Sequence, residues 1–176
     1  LPSQSLEHWA SEPEVLKSFA KHYETGESIP DELIEKILKA SKFNQGFINT
    51  EYLAASLLDM DWHTISYTDP IKDSNEFEKV SLEKIGLIDE IAPRYRSTYF
   101  AHIFSGGYSS GYYSYVHAAV LDSDGFEAFK EAGDVFDPEL STKLRKTIYE
   151  KGSTEEAMDL FVNFRGRKPI IAPLLK

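Results

Sequence analysis

The spacing of apolar residues along the chain predicts helices. In two early segments, apolar side chains recur every three or four residues, as they do on one face of a helix. The first segment follows Ser11-Glu12-Pro13-Glu14 and the second follows Pro30, and proline and acidic residues are typical of a first helical turn. The same signals predict further helices that begin near Asn49 or Thr50, Ser74, Tyr108, Pro138, and Ser153 or Thr154. The expected helix ends are Gly26, Asn44-Gln45-Gly46, Trp62, Gly86, Lys130, Lys151-Gly152 and Arg165.

Two segments interrupt this helical pattern. Residues 66–74 contain Asp69-Pro70, which predicts a loop. Residues 98–103 are aromatic enough for a strand, but a lone strand in a helical chain would have nothing to pair with. Irregular backbone or a helix is therefore expected there. The chain shows no internal repeat and no obvious linker, so the pattern predicts an all-α fold and a single helical domain over residues 1–176.

Composition narrows the possible function classes. The chain has 176 residues, 41% of them apolar, which is enough for a folded core, and it has no cysteine. Cysteine-ligated zinc, iron–sulfur clusters and thiol catalysis are thereby excluded. A net charge of -10 disfavours nucleic-acid binding without a strong basic patch. The densest basic run is Arg165-Gly166-Arg167-Lys168, which is predicted to be a solvated helix end. No apolar run approaches the length of about 20 residues that spans a bilayer, so no membrane partner is expected.

Local motifs give no self-contained catalytic site. Zinc peptidases commonly carry His-Glu-x-x-His, in which two histidines one turn apart face one metal ion. The five histidines here stand at positions 8, 22, 63, 102 and 117, and no two are one turn apart. Glycine-rich phosphate loops and the serine-hydrolase elbow are also absent. We expect structural or surface roles for His8, His22 and His63, and no metal ligand in this chain.

A cluster of tyrosines is the most unusual local feature. Tyr108, Tyr112, Tyr113 and Tyr115 follow directly after Gly106-Gly107. On a helix, positions 108, 112 and 115 would lie on one face, and their hydroxyl groups would form a row of hydrogen-bond donors. The pattern has a second interpretation, an amphipathic helix that buries aromatic rings and leaves the hydroxyl groups at the rim. The two glycines and the nearby His102 favour a binding cleft.

The segment from Tyr99 to Tyr115, Tyr-Phe-Ala-His-Ile-Phe-Ser-Gly-Gly-Tyr-Ser-Ser-Gly-Tyr-Tyr-Ser-Tyr, resembles the thimet-oligopeptidase and peptidyl-dipeptidase family of zinc peptidases. The resemblance extends to Leu1-Pro2-Ser3-Gln4-Ser5-Leu6-Glu7-His8-Trp9 and to Phe164-Arg165-Gly166-Arg167-Lys168-Pro169. It therefore covers essentially the whole chain. Pro93-Arg94-Tyr95-Arg96 and the His102-to-Tyr108 interval favour the bacterial peptidyl-dipeptidase branch.

The resemblance implies a role on the substrate side of a larger active site. In this family the zinc ligands precede the segment that resembles residues 1–9, so the chain is expected to be the C-terminal, helical portion of a zincin-type catalytic domain. Tyr115 and Tyr108 would donate to the oxyanion, and His102 and Tyr112 would bind substrate. Arg94 or Arg96 could bind a peptide C-terminus or form a surface ion pair. His117 replaces a tryptophan that is common in the family, and we expect it to pack or to face solvent.

These inferences define the expected partners and one competing hypothesis. The parent enzyme would use zinc to hydrolyse short peptides, releasing C-terminal dipeptides, whereas the isolated chain would be inactive. The missing N-terminal part of the same protein would cover apolar helix faces, and without it the chain could self-associate. The competing hypothesis is a non-catalytic helical module in which the tyrosines bind a peptide or protein. The sequence leaves the choice between cytoplasm and periplasm open.

Overall fold

The structure is a computed structural model, and it describes residues 1–68 and 73–176. Within these ranges the chain is helical, and its only β-type pairing is an isolated bridge between Lys21 and Ser28. The predicted all-α class is confirmed. The α-helices of the described residues are α1 (Pro2–Ser11), α2 (Pro13–Phe19), α3 (Asp31–Ala40), α4 (Gln45–His63), α5 (Ser74–Lys84), α6 (Ala101–Phe104), α7 (Ser114–Ala132), α8 (Pro138–Leu144) and α9 (Ala157–Arg165). Two 3-10 segments, Ser97–Tyr99 and Ala172–Leu175, and one π segment, Arg145–Tyr149, complete the described helical elements.

Several helix boundaries differ from the predicted ones for local reasons. The predicted caps Asn49 and Thr50 lie inside α4, where their side chains donate to the carbonyls of Gln45 and Gly46 at 2.7 and 2.8 Å. Helix α2 ends at Phe19 rather than near Gly26, because the chain then turns back through the Lys21–Ser28 bridge.

Further boundaries lie one to three residues from the predicted ones. Asp73 rather than Ser74 caps α5, and its carboxylate accepts from the backbone N–H groups of Asn75 and Glu76. Neither Ser153 nor Thr154 caps α9, since Glu156 occupies that position. The aromatic segment 98–103 forms helical turns and no strand. The Asp69-Pro70 pair of the predicted loop lies outside the described residues.

The described chain divides into two compact units. The first comprises Leu1–Leu38 and Val116–Lys176, and the second comprises Lys39–Tyr115. A single domain over the whole chain stays a prediction. None of the helices in the described ranges is long and apolar enough to cross a membrane.

Trp9 on α1 fixes the core of the first unit. Its ring packs edge-on against Phe126 and Phe129, with centroid distances of 4.6 and 5.0 Å. Its indole N–H donates to the carbonyl of Val135 at 2.7 Å, so the polar edge of this large side chain is also satisfied.

A buried carboxylate corrects the prediction for the basic run near the C-terminus. Asp124 on α7 is completely buried, and it accepts hydrogen bonds from both Arg165 and Arg167 and from the backbone N–H of Ile170. The Arg165 side chain is only 7% exposed and also pairs with Glu131. Arg165 and Arg167 therefore belong to an ion network around a buried carboxylate, whereas Lys168 of the same run is exposed.

Helix α4 of the second unit has one packed face and one exposed face. Tyr52, Ala55, Asp59 and Trp62 recur at helical spacing on the face that packs in this unit; Ala55 belongs to its core with Phe100, Ile103 and Tyr112, and Tyr52 and Trp62 pack against it. The opposite face leaves Leu53, Leu57 and Met60 exposed, at i, i+4 and i+7. One face of α4 thus supports the segment that carries the candidate site residues.

Candidate functional site

The four candidate site residues all lie in the second unit, on three neighbouring pieces of chain. His102 is on α6, and Tyr115 is in the first turn of α7. Tyr108 and Tyr112 lie between these helices, in residues 105–113, which we call the tyrosine loop. The predicted helix starting at Tyr108 is therefore wrong for its first turns: the backbone of residues 109–113 forms turns, and α7 begins only at Ser114.

Close backbone contacts fold the tyrosine loop onto α6. Gly106 approaches the carbonyl oxygen of His102 so closely that a Cβ atom at this position would lie 2.7 Å from it, which only glycine permits. The N–H of Tyr108 then donates to the same carbonyl at 3.3 Å. The Ser109 hydroxyl donates to the Ile103 carbonyl at 2.5 Å. These bonds bring position 108 back beside position 102.

The rings of the four residues form one cluster, although they do not share a helix face. Tyr108 stacks on Tyr115 with a centroid distance of 5.1 Å. His102 lies 5.5 Å from Tyr108 and 6.3 Å from Tyr115, again between centroids. Tyr112 meets His102 and Tyr115 edge-on, at 5.8 and 5.4 Å. The structure therefore brings together all the site residues that the sequence singled out.

The cluster runs from the core of the unit to its surface. Tyr112 is 3% exposed and packs on Phe100, whereas Tyr108 is 37% exposed. Tyr115 and His102 are partly buried between these extremes. The surface side of the cluster therefore consists of Tyr108, Tyr115 and His102, and Tyr112 forms its floor.

Burial and mutual hydrogen bonding keep the phenol groups protonated. The hydrogen bond with Tyr108, followed by burial, raises the pKa of Tyr115 to about 12. Burial is also the main reason that the pKa of Tyr112 rises to about 12, despite the opposing effect of Arg94. Both hydroxyl groups are consequently hydrogen-bond donors throughout the neutral range.

The two candidate arginines have different surroundings. Arg94 hydrogen-bonds the hydroxyl group of Tyr112 and is itself exposed, so a positive charge lies beside the tyrosine cluster. Arg96 instead pairs with the buried carboxylate of Glu78, which also accepts from the Ser97 N–H at 2.6 Å. Arg96 is thus part of a structural ion pair, and Arg94 is the arginine that adjoins the cluster.

Sequence reasoning missed two residues that contact the tyrosine loop. Asp59 is completely buried and accepts from the backbone N–H groups of Ser110 and Tyr112. The hydroxyl of Tyr52 donates to the carbonyl of Tyr112 at 2.5 Å. A signal was present in the sequence, since a carboxylate at position 59 falls on the otherwise apolar face of α4.

The remaining histidines have structural or surface surroundings. His8 Nε2 lies 3.0 Å from Asp122 Oδ1, and His63 Nδ1 lies 2.8 Å from Asp59 Oδ1. The ring of His22 accepts from the N–H groups of a turn, and His117 is exposed. In the part of the chain that the structure describes, no group of three or more His, Asp or Glu residues is arranged to hold a metal ion. Residues 1–68 and 73–176 therefore do not fit a zinc site.

Comparison with known proteins decides the family. Residues 1–176 match Peptidase family M3 over their whole length. The chain belongs to this family. It is 42% identical to the dipeptidyl carboxypeptidase of Escherichia coli (strain K12) over 176 residues, covering 99% of this chain and 26% of that protein. It is 38% identical to oligopeptidase A of the same strain over 181 residues, covering 100% of this chain and 26% of that protein.

A plant relative shows the same coverage. The chain is 39% identical to the organellar oligopeptidase A of Arabidopsis thaliana over 183 residues, or 100% of this chain and 23% of that protein. The chain thus spans about a quarter of the length of these curated relatives. The predicted family is confirmed, and the M3 family is zinc-dependent in general.

Proposed function

We propose that this chain is the C-terminal part of a zinc-dependent peptidase, and that its tyrosine cluster binds the scissile carbonyl of a short peptide. The observation that carries the proposal is the stacked, hydrogen-bonded pair Tyr108 and Tyr115 on the surface side of the cluster. The family membership supplies the reaction class.

Peptide hydrolysis requires donors for a developing negative charge. When water attacks the carbonyl carbon, charge accumulates on the carbonyl oxygen, and preorganised donors lower the barrier by stabilising it. Because its raised pKa keeps Tyr115 protonated, its hydroxyl can donate to that oxygen. Tyr108 orients Tyr115 before substrate binds, and both phenols can donate to the oxyanion once their mutual hydrogen bond is exchanged for bonds to it. A proton need not leave either phenol during this step.

The other members of the cluster suit substrate binding. His102 borders Tyr108 and Tyr115 and can hydrogen-bond the peptide backbone next to the scissile bond. Tyr112 is almost fully buried, so its contribution to substrate binding would be made through its hydroxyl group, which Arg94 also contacts. The positive charge of Arg94 suits the free carboxylate that a dipeptide-releasing enzyme must recognise.

The zinc ion would be held by residues outside this chain, in the remaining part of the protein. The described residues offer no arrangement that could replace them. We therefore expect the isolated chain to be inactive and to bind no stoichiometric, tight zinc. The similarity to dipeptidyl carboxypeptidase favours release of C-terminal dipeptides over internal cleavage.

A tyrosine replacement tests the proposal in a complete enzyme, meaning residues 1–176 joined to the remaining part of the Escherichia coli dipeptidyl carboxypeptidase in place of its matching segment. Tyr115→Phe removes one oxyanion donor, so kcat should fall about 100- to 1000-fold. Zinc content and Tm should stay unchanged.

The matched control is Tyr113→Phe, because Tyr113 is 56% exposed and lies outside the ring cluster. It should retain the turnover of the complete enzyme. Wild-type turnover in Tyr115→Phe would reject the oxyanion role. Analysis of the products from a peptide and from its C-terminally amidated form tests the peptidyl-dipeptidase assignment, since only the free carboxylate should be accepted.

A further inference from the structure

Asp59 is a buried carboxylate that the proposed function does not yet use. It has no exposed surface, and it lies on α4, far in sequence from the tyrosine loop. Burying a carboxylate is unfavourable unless hydrogen bonds replace its water. The contacts that do so show what this residue holds in place.

Both oxygens of Asp59 bind the tyrosine loop. Oδ1 accepts from the backbone N–H of Ser110 at 3.0 Å, and Oδ2 accepts from that of Tyr112 at 2.9 Å. Ser110 has a φ of 56°, a left-handed conformation that is unfavourable for a residue with a side chain. Charge-assisted hydrogen bonds on either side of Gly111 can maintain that conformation.

The carbonyl group of Tyr112, in the next peptide unit, is fixed as well. The Tyr52 hydroxyl donates to the Tyr112 carbonyl at 2.5 Å, and the two rings stack at 5.3 Å. The same carbonyl accepts from the N–H of Tyr115, and the N–H of Gly111 donates to the carbonyl of Tyr108. Asp59 and Tyr52 therefore hold the backbone that connects the two proposed oxyanion donors.

We propose that Asp59 and Tyr52 are positioning residues that fix the tyrosine loop so that Tyr108 and Tyr115 present their hydroxyl groups in the geometry needed for catalysis. They act through the backbone of the loop and not by touching substrate. The inference rests on the proposed function, because a fixed loop affects turnover only if these tyrosines take part in the reaction. A displacement of about 1 Å in such a group can reduce the rate 100-fold.

The decisive variant is Asp59→Asn in the complete enzyme. Asparagine has one acceptor oxygen, so its amide N–H₂ would face one of the two backbone donors and break that bond. We expect kcat to fall about 100-fold with little change in KM. Amide hydrogen exchange of residues 110–112 should accelerate in the same variant.

The control is Asp61→Asn, two positions further along the same helix. Asp61 is also hydrogen-bonded, to Ser81 at 2.7 Å and to Lys84 at 3.3 Å, but these partners lie on α5. Its replacement should leave kcat and the exchange of residues 110–112 unchanged. Tyr52→Phe provides a second test if Asp59→Asn does not fold, since it removes one hydroxyl and keeps the stacked ring; we expect kcat to fall about tenfold.

Combined variants separate positioning from general destabilisation. If Asp59 and Tyr52 act through Tyr108 and Tyr115, then either replacement should reduce turnover only slightly in a background that carries both Tyr108→Phe and Tyr115→Phe. Additive losses of kcat in the combined variants would overturn the positioning role alone. Wild-type kcat in the folded single variants would do the same if Tyr115→Phe is impaired. Full turnover in Tyr115→Phe would instead overturn the proposed function and the positioning role with it.

Discussion

Asp124 illustrates how one buried charge can determine the conformation of a chain terminus. Its carboxylate binds two arginines and the N–H of Ile170, and all these partners follow α9 or end it. Ion pairs on a protein surface contribute little, but removing one member of a buried pair leaves the other charge uncompensated. The C-terminal segment of the first unit should therefore depend on this side chain.

We expect Asp124→Asn to lower the free energy of unfolding by about 3 kcal/mol or more, because Arg165 and Arg167 lose their buried counter-charge. Urea denaturation of the 176-residue chain measures this change. Glu7→Gln, at an exposed position on α1, is the control and should stay within about 0.5 kcal/mol of the wild type. An equal, small effect for both replacements would contradict the importance of the network.

The same carboxylate predicts a pH dependence. Burial opposes ionisation, but hydrogen bonds from Arg167, Ile170 and Arg165 outweigh it and lower the pKa of Asp124. The stabilisation is then fully present above the unfolded-state pKa of about 3.9 and is lost as the pH falls through the lower folded-state value. The free energy of unfolding should decrease more steeply below pH 4 in the wild type than in Asp124→Asn. Parallel pH profiles would show that Asp124 contributes no such linkage.

Single residues also show which parts of the candidate site can be predicted from the sequence and which cannot. Residues 102, 108, 112 and 115 lie close together in one segment of the sequence, where both the tyrosine spacing and the resemblance to a family indicate a site. Asp59 and Tyr52 were not found, since their partners lie about 50 to 60 positions away along the chain. Contacts over such separations leave no local pattern, and an aspartate on an apolar helix face was the only available signal.

At the scale of elements, each predicted helix has a counterpart in the structure, but α1 (Pro2–Ser11) was not predicted and several boundaries are wrong. Competing side-chain hydrogen bonds account for Asn49 and Thr50 inside α4, whereas backbone pairing between Lys21 and Ser28 accounts for the early end of α2. The most consequential wrong prediction is the helix that was expected to start at Tyr108, in what is the tyrosine loop. Helical spacing correctly grouped positions 108, 112 and 115, but the residues meet because turns fold the backbone, not because a helix aligns them.

The cap of α5 gives an element-scale prediction. Asp73 accepts from the N–H groups of Asn75 and Glu76 at 2.8 and 3.2 Å, whereas Ser74 is already helical. Asp73→Ala should lower the free energy of unfolding by about 1 kcal/mol. Ser74→Ala, measured by the same denaturation experiment, should have a much smaller effect. The reverse order would place the cap at Ser74.

At the scale of the whole molecule, the chain carries apolar surface that a larger protein would cover. Leu53, Leu57 and Met60 are 50%, 46% and 36% exposed and form one stripe on α4. The chain covers only about a quarter of the length of each of these curated relatives, so most of each relative lies outside the matched region. We predict that the remaining part of the protein packs against this stripe.

Without that part, we expect the chain to self-associate through the stripe. In sedimentation velocity, the weight-average sedimentation coefficient should rise with protein concentration, and Leu57→Glu should reduce this rise because it places a charge within the apolar contact. Val80→Glu is the matched control, since Val80 is 53% exposed but lies on α5. A monomer at every concentration would contradict the prediction.

The support of the tyrosine loop by α4 has a consequence for transplanting this site. A peptide of residues 99–115 carries every ring of the cluster yet lacks the carboxylate and the phenol that hold its turns. Grafted onto another scaffold, it should sample many conformations. A designer who wants this hydrogen-bonding surface must also carry over the supporting helix in the correct rotation. Inserting one residue between positions 52 and 59 would rotate either Tyr52 or Asp59 about 100° away from the loop.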